Sequence, residues 1–186
     1  SVSEPEFDWA TLIANKDKQI HHLNGIYRNL LVNSGVTLLE GHARLTGPNQ
    51  VEVNGQSYTA EHILIATGGW PQVPDIPGRE HAITSNEAFF LPQLPKRIIV
   101  VGGGYIASEF ACIMNGLGVK VSQFYRGAQI LRGFDDEARG HVANTMRANG
   151  IDLRTGTTIM QLQRTAEGAI RATTTDGHDC DFDAVM

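Results

Sequence analysis

The sequence predicts an α/β fold built on a parallel sheet, and three observations carry that expectation. A short apolar run, Ile98–Val101, enters the glycine loop Gly102-Gly103-Gly104 and then a helical apolar pattern. From Arg97 the chain alternates strand, helix, strand, helix, strand, the order that builds βαβ units. Ahead of it, a long amphipathic stretch leads through short extended segments to a second apolar run, Ile63–Thr67, that stops abruptly at Gly68-Gly69.

Residues 8–34 read as one helix, because Leu12, Ile13, Ile20, Leu23, Ile26, Tyr27, Leu30 and Leu31 recur at helical spacing. That periodicity places Tyr27 in a core-facing stripe. Asp8 suits the N-cap, and Asn33-Ser34-Gly35 suits the stop. Extended segments follow at Val36–Leu39, Ala43–Leu45 and Val51–Val53, and Asn54-Gly55 marks a hairpin turn into Gln56–Thr59. Ile63–Thr67 has the continuous apolar character of a strand buried on both faces. Pro71, Pro74, Pro77, Pro92 and Pro95 punctuate the next stretch, which holds a short helical piece near Asn86–Phe90. The second unit then runs as a strand to Val101, a helix to Gly116, a strand Val119–Tyr125, a helix over about 135–149 and a strand Ile151–Arg154. Shorter strands are expected around Ile159–Gln163, Ile170–Thr173 and Phe182–Val185. The organisation is therefore two domains, residues 1–92 and 93–186.

The pattern Gly102-x-Gly104-x-x-Ala107, placed between strand and helix, fits a dinucleotide-binding turn. Gly102 permits the tight turn, Gly104 lets a pyrophosphate approach the backbone, and small Ala107 lets helix pack close on strand. The helix N-terminus offers free N–H groups and the positive end of its dipole to phosphates. The second strand indicates which nucleotide. An NAD-binding unit usually ends it with Asp or Glu for the ribose hydroxyls. Here it ends Phe124-Tyr125-Arg126-Gly127, with Arg132 shortly after, and the next acids, Asp135 and Asp136, lie well beyond. Two guanidiniums at that place suit the 2′-phosphate of NADPH, through charge-assisted hydrogen bonds.

Composition narrows the remaining classes. Fifteen basic against twenty acidic residues leave a net charge of −5, without a long basic run, so neither nucleic acid nor an anionic membrane is an expected partner. No apolar stretch approaches the ~20 residues that span a bilayer, and the first residues lack the apolar segment of a signal peptide. Cys112 and Cys180 are far apart and are expected to be buried thiols rather than a pair. The histidines are scattered, and the adjacent His21-His22 cannot both face one metal on a helix, so no metal site is readable.

Several blocks occur in one order: Phe7-Asp8-Trp9, Ile26-Tyr27, Gly41-His42-Ala43, Ala66-Thr67-Gly68-Gly69, Ile83-Thr84-Ser85-Asn86-Glu87, Val101-Gly102-Gly103-Gly104-Tyr105-Ile106-Ala107, Asn115-Gly116-Leu117-Gly118 and Ile130-Leu131-Arg132-Gly133-Phe134-Asp135. Through them the chain resembles the glutathione reductases, within the flavin-dependent pyridine nucleotide–disulfide oxidoreductases. The Ala-Thr-Gly and glycine-loop blocks belong to that whole superfamily, whereas Tyr125-Arg126 with Leu131-Arg132-x-Phe134-Asp135 is more particular to its NADP-using members. The resemblance implies FAD/NAD(P)-binding Rossmann-like, three-layer folds, with part of an FAD domain over 1–92 and most of an NADPH domain over 93–186.

It also implies roles. Gly103, Ile106 and neighbouring backbone would line the NADPH pyrophosphate and ribose, and Arg126 and Arg132 would take the 2′-phosphate. Tyr105 would lie over the flavin as a gate, and Glu109, one turn later, would sit near nicotinamide and flavin. Ala43 would touch the FAD adenine, Thr67 and Gly68 would close over FAD, and Tyr27 would contact glutathione. The implied activity is hydride transfer from NADPH to FAD and onward reduction of glutathione disulfide, in a cytoplasmic homodimer. Because family members carry a Cys-x-x-x-x-Cys disulfide before the segment matching residue 1, and a His–Glu pair in a dimer-forming domain after the segment matching residue 186, the chain reads as the central piece of a longer enzyme. Alone it is expected not to reduce glutathione disulfide. The alternatives are another flavin disulfide reductase (mercuric, trypanothione or dihydrolipoamide type) and a non-catalytic NADP(H)-binding module.

Overall fold

The structure, a computed structural model, describes residues 7–186. These pack as two compact units, one ending at Trp70 and the other spanning Pro71–Met186.

In the first unit, helix α1 (Trp9–Asn33) starts at Asp8, whose carboxylate accepts the Thr11 N–H at 2.8 Å. It stops where the Ser34 N–H returns to the Leu30 carbonyl and Gly35 turns left-handed. The apolar stripe exists, but nothing in α1 is buried, and Tyr27 is 61% exposed. The core position that periodicity gave Tyr27 is therefore not realised. Amphipathic spacing identifies a face suited to burial, and the small sheet of the same unit leaves that face uncovered.

That sheet is an antiparallel meander of β1 (Ala43–Gly47), β2 (Gln50–Val53) and β3 (Gln56–Thr59). Asn54 (φ 52°) and Gly55 (φ 76°) form the β2–β3 turn, both left-handed as a type I′ hairpin requires. Two expected strands are absent. Val36–Leu39 has no strand pairing, and Ile63–Thr67 is irregular, with Leu64 90% and Ile65 65% exposed. A strand needs a neighbour for its ladder of N–H and C=O groups, and none of the unit's three strands pairs with either segment.

The second unit opens with a 3₁₀ turn, Arg79–His81, and the short helix α2 (Ser85–Ala88). A capping box starts α2: Thr84 Oγ1 accepts the Asn86 N–H, while the Glu87 carboxylate accepts both the Thr84 hydroxyl and its N–H, at 2.6 and 2.7 Å. Those bonds, the hydroxyl first, hold the Glu87 carboxyl below the usual carboxylate range. A lowered folded-state pKa contributes stability that is present above the unfolded value and lost as pH falls through the folded one. Glu87→Gln is therefore expected to lower stability at neutral pH, measured by denaturant unfolding, with the difference from the parent shrinking as pH falls through the folded-state value. A difference persisting unchanged in acid, where the carboxyl is neutral, would point to packing instead.

The core of this unit is a four-stranded parallel sheet in the order β10 (Ala184–Val185), β4 (Arg97–Val101), β5 (Lys120–Tyr125), β6 (Asp152–Thr155). Helices α3 (Tyr105–Gly116) and α4 (Asp136–Ala148) connect β4 to β5 and β5 to β6. A second antiparallel meander, β7 (Ile159–Arg164), β8 (Ile170–Thr174) and β9 (Asp179–Phe182), forms the remaining layer. Strand β4 explains its own apolar run. Ile98 and Val100 pack with Ala107, Phe110, Ala111 and Met114 of α3 and Ala143 and Met146 of α4. Ile99 packs the other way, with Ile159, Leu162, Ile170, Ala172 and Phe182 of the meander. Burial on both faces leaves no place for a polar side chain over Ile98–Val100, and Arg97 starts the strand at the surface.

The expected single strand Phe182–Val185 is two. Phe182 ends β9 in the meander, and Ala184 begins β10 in the parallel sheet. Between them Asp183 accepts the backbone N–H groups of Lys96 and Arg97, each at 2.9 Å, and so anchors the crossing to the start of β4. Residues 71–92, grouped by sequence with the first domain, pack with the second unit: Ala88 lies in its core and the Ile83 N–H donates to the Val185 carbonyl. The cysteines are not the buried thiols expected. Cys112 is exposed on α3 and Cys180 half-buried on β9, and neither is in a disulfide. Periodicity placed Cys112 on the right element but not on its outward face.

Candidate nucleotide-binding site

In open parallel sheets ligands bind beyond the carboxyl ends of the strands, where successive connections diverge. Here that place is the end of β4, since the chain proceeds from β4 to β5 and β6 on one side and returns to β10 on the other. The glycine loop lies there. Gly102 has φ +139°, its N–H donates to the Phe124 carbonyl, and a Cβ on it would stand 3.3 Å from the Ala107 Cβ. Tight turn and close helix packing are thus one constraint, as the motif predicts.

The middle glycine has a different reason. A Cβ on Gly103 would fall 2.4 Å from the Tyr125 ring, and one on Gly127 would fall 2.5 Å from the same ring. Tyr125 is a wedge between the glycine loop and the segment after β5. The Gly103 carbonyl also accepts the Leu131 N–H, with Leu131 itself left-handed at φ 58°. Gly104 faces open space and is the N-cap of α3. Asp8, Thr84 and Asp135 cap the other α-helices with side-chain oxygens, whereas no side chain caps α3. Its first N–H groups keep their capacity for an anion.

A residue that sequence reading passed over holds this loop from beneath. Gln123 is fully buried on β5, and its Nε2 donates to the Gly102 carbonyl at 2.9 Å and to Ser108 Oγ at 3.3 Å. The one signal for it is an amide in a central strand. Gln123→Leu should lower unfolding stability by about 1–3 kcal/mol, because the Gly102 carbonyl loses its partner in a partly buried place. Denaturant titration measures this, and an unchanged midpoint would remove Gln123 from the support of the loop.

Arg126 and Arg132 are exposed and make no hydrogen bond or ion pair among the described residues. Most arginines of the unit differ. Arg79 pairs with Asp75, Arg97 with Asp183, Arg154 with Asp152 and Arg171 with Asp181, Arg164 donates to the Gly168 carbonyl, and Arg139 is engaged as described below. Arg147, in the last turn of α4, is the other without such a partner among the described residues. Arg126 directly follows β5 and Arg132 directly follows Leu131, so the backbone brings both segments against the glycine loop.

Tyr105 (57% exposed) and Ile106 open α3 at the surface, Ala107 is buried, and Glu109 is exposed one turn after Tyr105, on the same face. In the first unit Tyr27 is on α1, Ala43 on β1, and Thr67 and Gly68 in the irregular segment, all exposed. The structure thus gathers Gly102–Ala107, Arg126 and Arg132 at one end of one sheet. A broad concavity of about 680 Å³ lies at the opposite edge, lined by Arg97, Lys120, Asp152, Cys180 and Asp181, and contains none of the predicted site residues. No helix of the described residues is long and apolar enough to cross a membrane, and they hold no group of three or more His, Cys, Asp or Glu placed for a metal ion.

Fold and loop define a nucleotide-binding α/β protein. The model of the pyridine nucleotide-disulphide oxidoreductases matches residues 2–186, and the chain belongs to that family. Membership implies a flavin and a pyridine nucleotide as cofactors. Among its relatives, the glutathione reductase of Burkholderia cepacia is 47% identical over 178 residues, covering 96% of this chain and 39% of the relative. The chloroplastic/mitochondrial glutathione reductase of Pisum sativum is 45% identical over 184 residues, covering 99% and 33%. The trypanothione reductase of Leishmania donovani is 40% identical, covering 96% and 39%. The chain therefore spans between a third and two fifths of these relatives' length. Among solved structures, the HOCl-induced flavoprotein disulfide reductase RclA of Escherichia coli superposes with a TM-score of 0.87 at 23% identity, over 96% of this chain and 42% of that one, a likeness of fold.

Proposed function

We propose that the chain is the central part of an NADPH-dependent flavoprotein that reduces glutathione disulfide. The observation that carries the coenzyme choice is the pair of unpartnered guanidiniums, Arg126 and Arg132, beside a glycine loop whose helix lacks a side-chain cap. The residues fit the group: free N–H groups at α3 suit a pyrophosphate, open space at Gly104 admits it, and two cations suit a 2′-phosphate. When bound, the nicotinamide and flavin would supply hydride transfer on the way to a redox disulfide. This chain's own work is positioning: Gly103, Gly104 and Ile106 line the phosphates and ribose, while Tyr105 shields the flavin side and Glu109 lies near the reacting rings. Ala43, Thr67 and Gly68 contact FAD, and Tyr27 contacts glutathione. Their surface positions leave them open to such contacts.

Glutathione as substrate is supported by the 47% and 45% identities to glutathione reductases, against 40% to a trypanothione reductase. The deciding experiment is coenzyme oxidation by the full-length enzyme with each disulfide. Turnover with glutathione disulfide and NADPH is expected. Turnover with trypanothione disulfide alone would reassign the substrate, and equal use of NADH would overturn the coenzyme. A cytoplasmic homodimer belongs to the same proposal and is tested by cell fractionation and sedimentation.

A further inference from the structure

Arg139 stands at the end of the first turn of α4, where the helix dipole disfavours a cation. Its side chain is nevertheless only 15% exposed, and each of its three nitrogens is engaged. Nε donates to the Ile130 carbonyl at 2.7 Å, Nη2 to the Gln129 carbonyl at 3.0 Å, and Nη1 pairs with Asp136. Gln129 reciprocates, its Nε2 donating to the Asp136 carbonyl at 2.9 Å. These carbonyls immediately precede Leu131, the left-handed residue whose N–H reaches Gly103, and then Arg132. A planar fork on two successive carbonyls fixes the direction in which the chain leaves residue 130.

We infer that Arg139 is a positioning residue for NADPH selectivity, holding residues 129–132 so that Arg132 presents its guanidinium beside the glycine loop. The inference rests on the reading that Arg126 and Arg132 receive the 2′-phosphate. It predicts dependence between distant positions, which a simply stabilising arginine would not show. In the full-length enzyme, Arg139→Met should raise KM for NADPH about 5- to 30-fold, with kcat and the NADH parameters little changed. In an Arg126→Leu/Arg132→Leu background the same substitution should add less than about twofold, because nothing is left to position. Arg139→Lys, which keeps one donor but not the fork, should fall between and serves if the methionine variant does not fold.

Equal losses with NADPH and NADH, an undiminished penalty in the leucine background, or no change in KM would each overturn the role of Arg139. Failure of the underlying coenzyme reading looks different: the leucine pair itself would then leave the preference for NADPH intact.

Discussion

Replacing Arg126 and Arg132 together by leucine in the full-length enzyme is expected to weaken NADPH use by about 10²–10⁴-fold while leaving NADH use nearly unchanged. Each charge-assisted bond to a phosphate contributes about 1.5–3 kcal/mol, so two lost contacts account for a change of that size. The asymmetry between coenzymes is what matters, since NADH has no 2′-phosphate to lose. Both residues are exposed and make no hydrogen bond or ion pair among the described residues, so removing them should not disturb the fold. The measurement is kcat/KM for both coenzymes across salt concentrations. A parallel fall for NADPH and NADH would show that the arginines act on the nucleotide in common, or on the protein, rather than on the extra phosphate.

Gly78→Ala is expected to destabilise the second unit by about 3 kcal/mol or more, enough to compromise folding at 37 °C. Gly78 has φ +81°, and a Cβ on it would stand 1.8 Å from the Leu162 carbonyl oxygen. The obstacle is backbone of β7, held in place because the Leu162 N–H donates to the Pro77 carbonyl at 2.9 Å. No rotamer relieves such a contact, and the left-handed backbone adds about 1–2 kcal/mol. Gly104→Ala is the contrasting control. Its Cβ meets nothing, so it should cost at most about 1 kcal/mol of stability while impairing nucleotide affinity. Denaturant unfolding of both variants separates the cases, and a loss below about 1 kcal/mol for Gly78→Ala would mean that β7 shifts easily.

What was legible in the sequence is what neighbours along the chain decide. Gly102, Gly104 and Ala107 announce strand, turn and helix because their spacing is local, and Arg126 could be placed because it directly ends a strand of that unit. Asn54-Gly55 and the Thr84–Glu87 box are likewise complete within a few residues. Ile63–Thr67 misled because a strand is a relation between segments, and composition cannot supply the partner. The division of Phe182–Val185 depends on which of two sheets each residue joins. The packing role of Tyr125, and Gln123 and Arg139 altogether, escaped notice for a related reason. Their partners are backbone carbonyls or absent Cβ atoms on other loops, and these leave no pattern in side-chain chemistry.

The aromatic ring lodged between Gly103 and Gly127 has a bearing on redesign. Because the wedge mates two loops, exchanging the cations alone for an acid would, on the proposed coenzyme reading, place a ribose contact on loops whose fit to each other is unchanged. A conversion toward NADH should therefore be attempted as a transplant of the entire joint, both glycine segments and the tyrosine together, rather than as a change of charges.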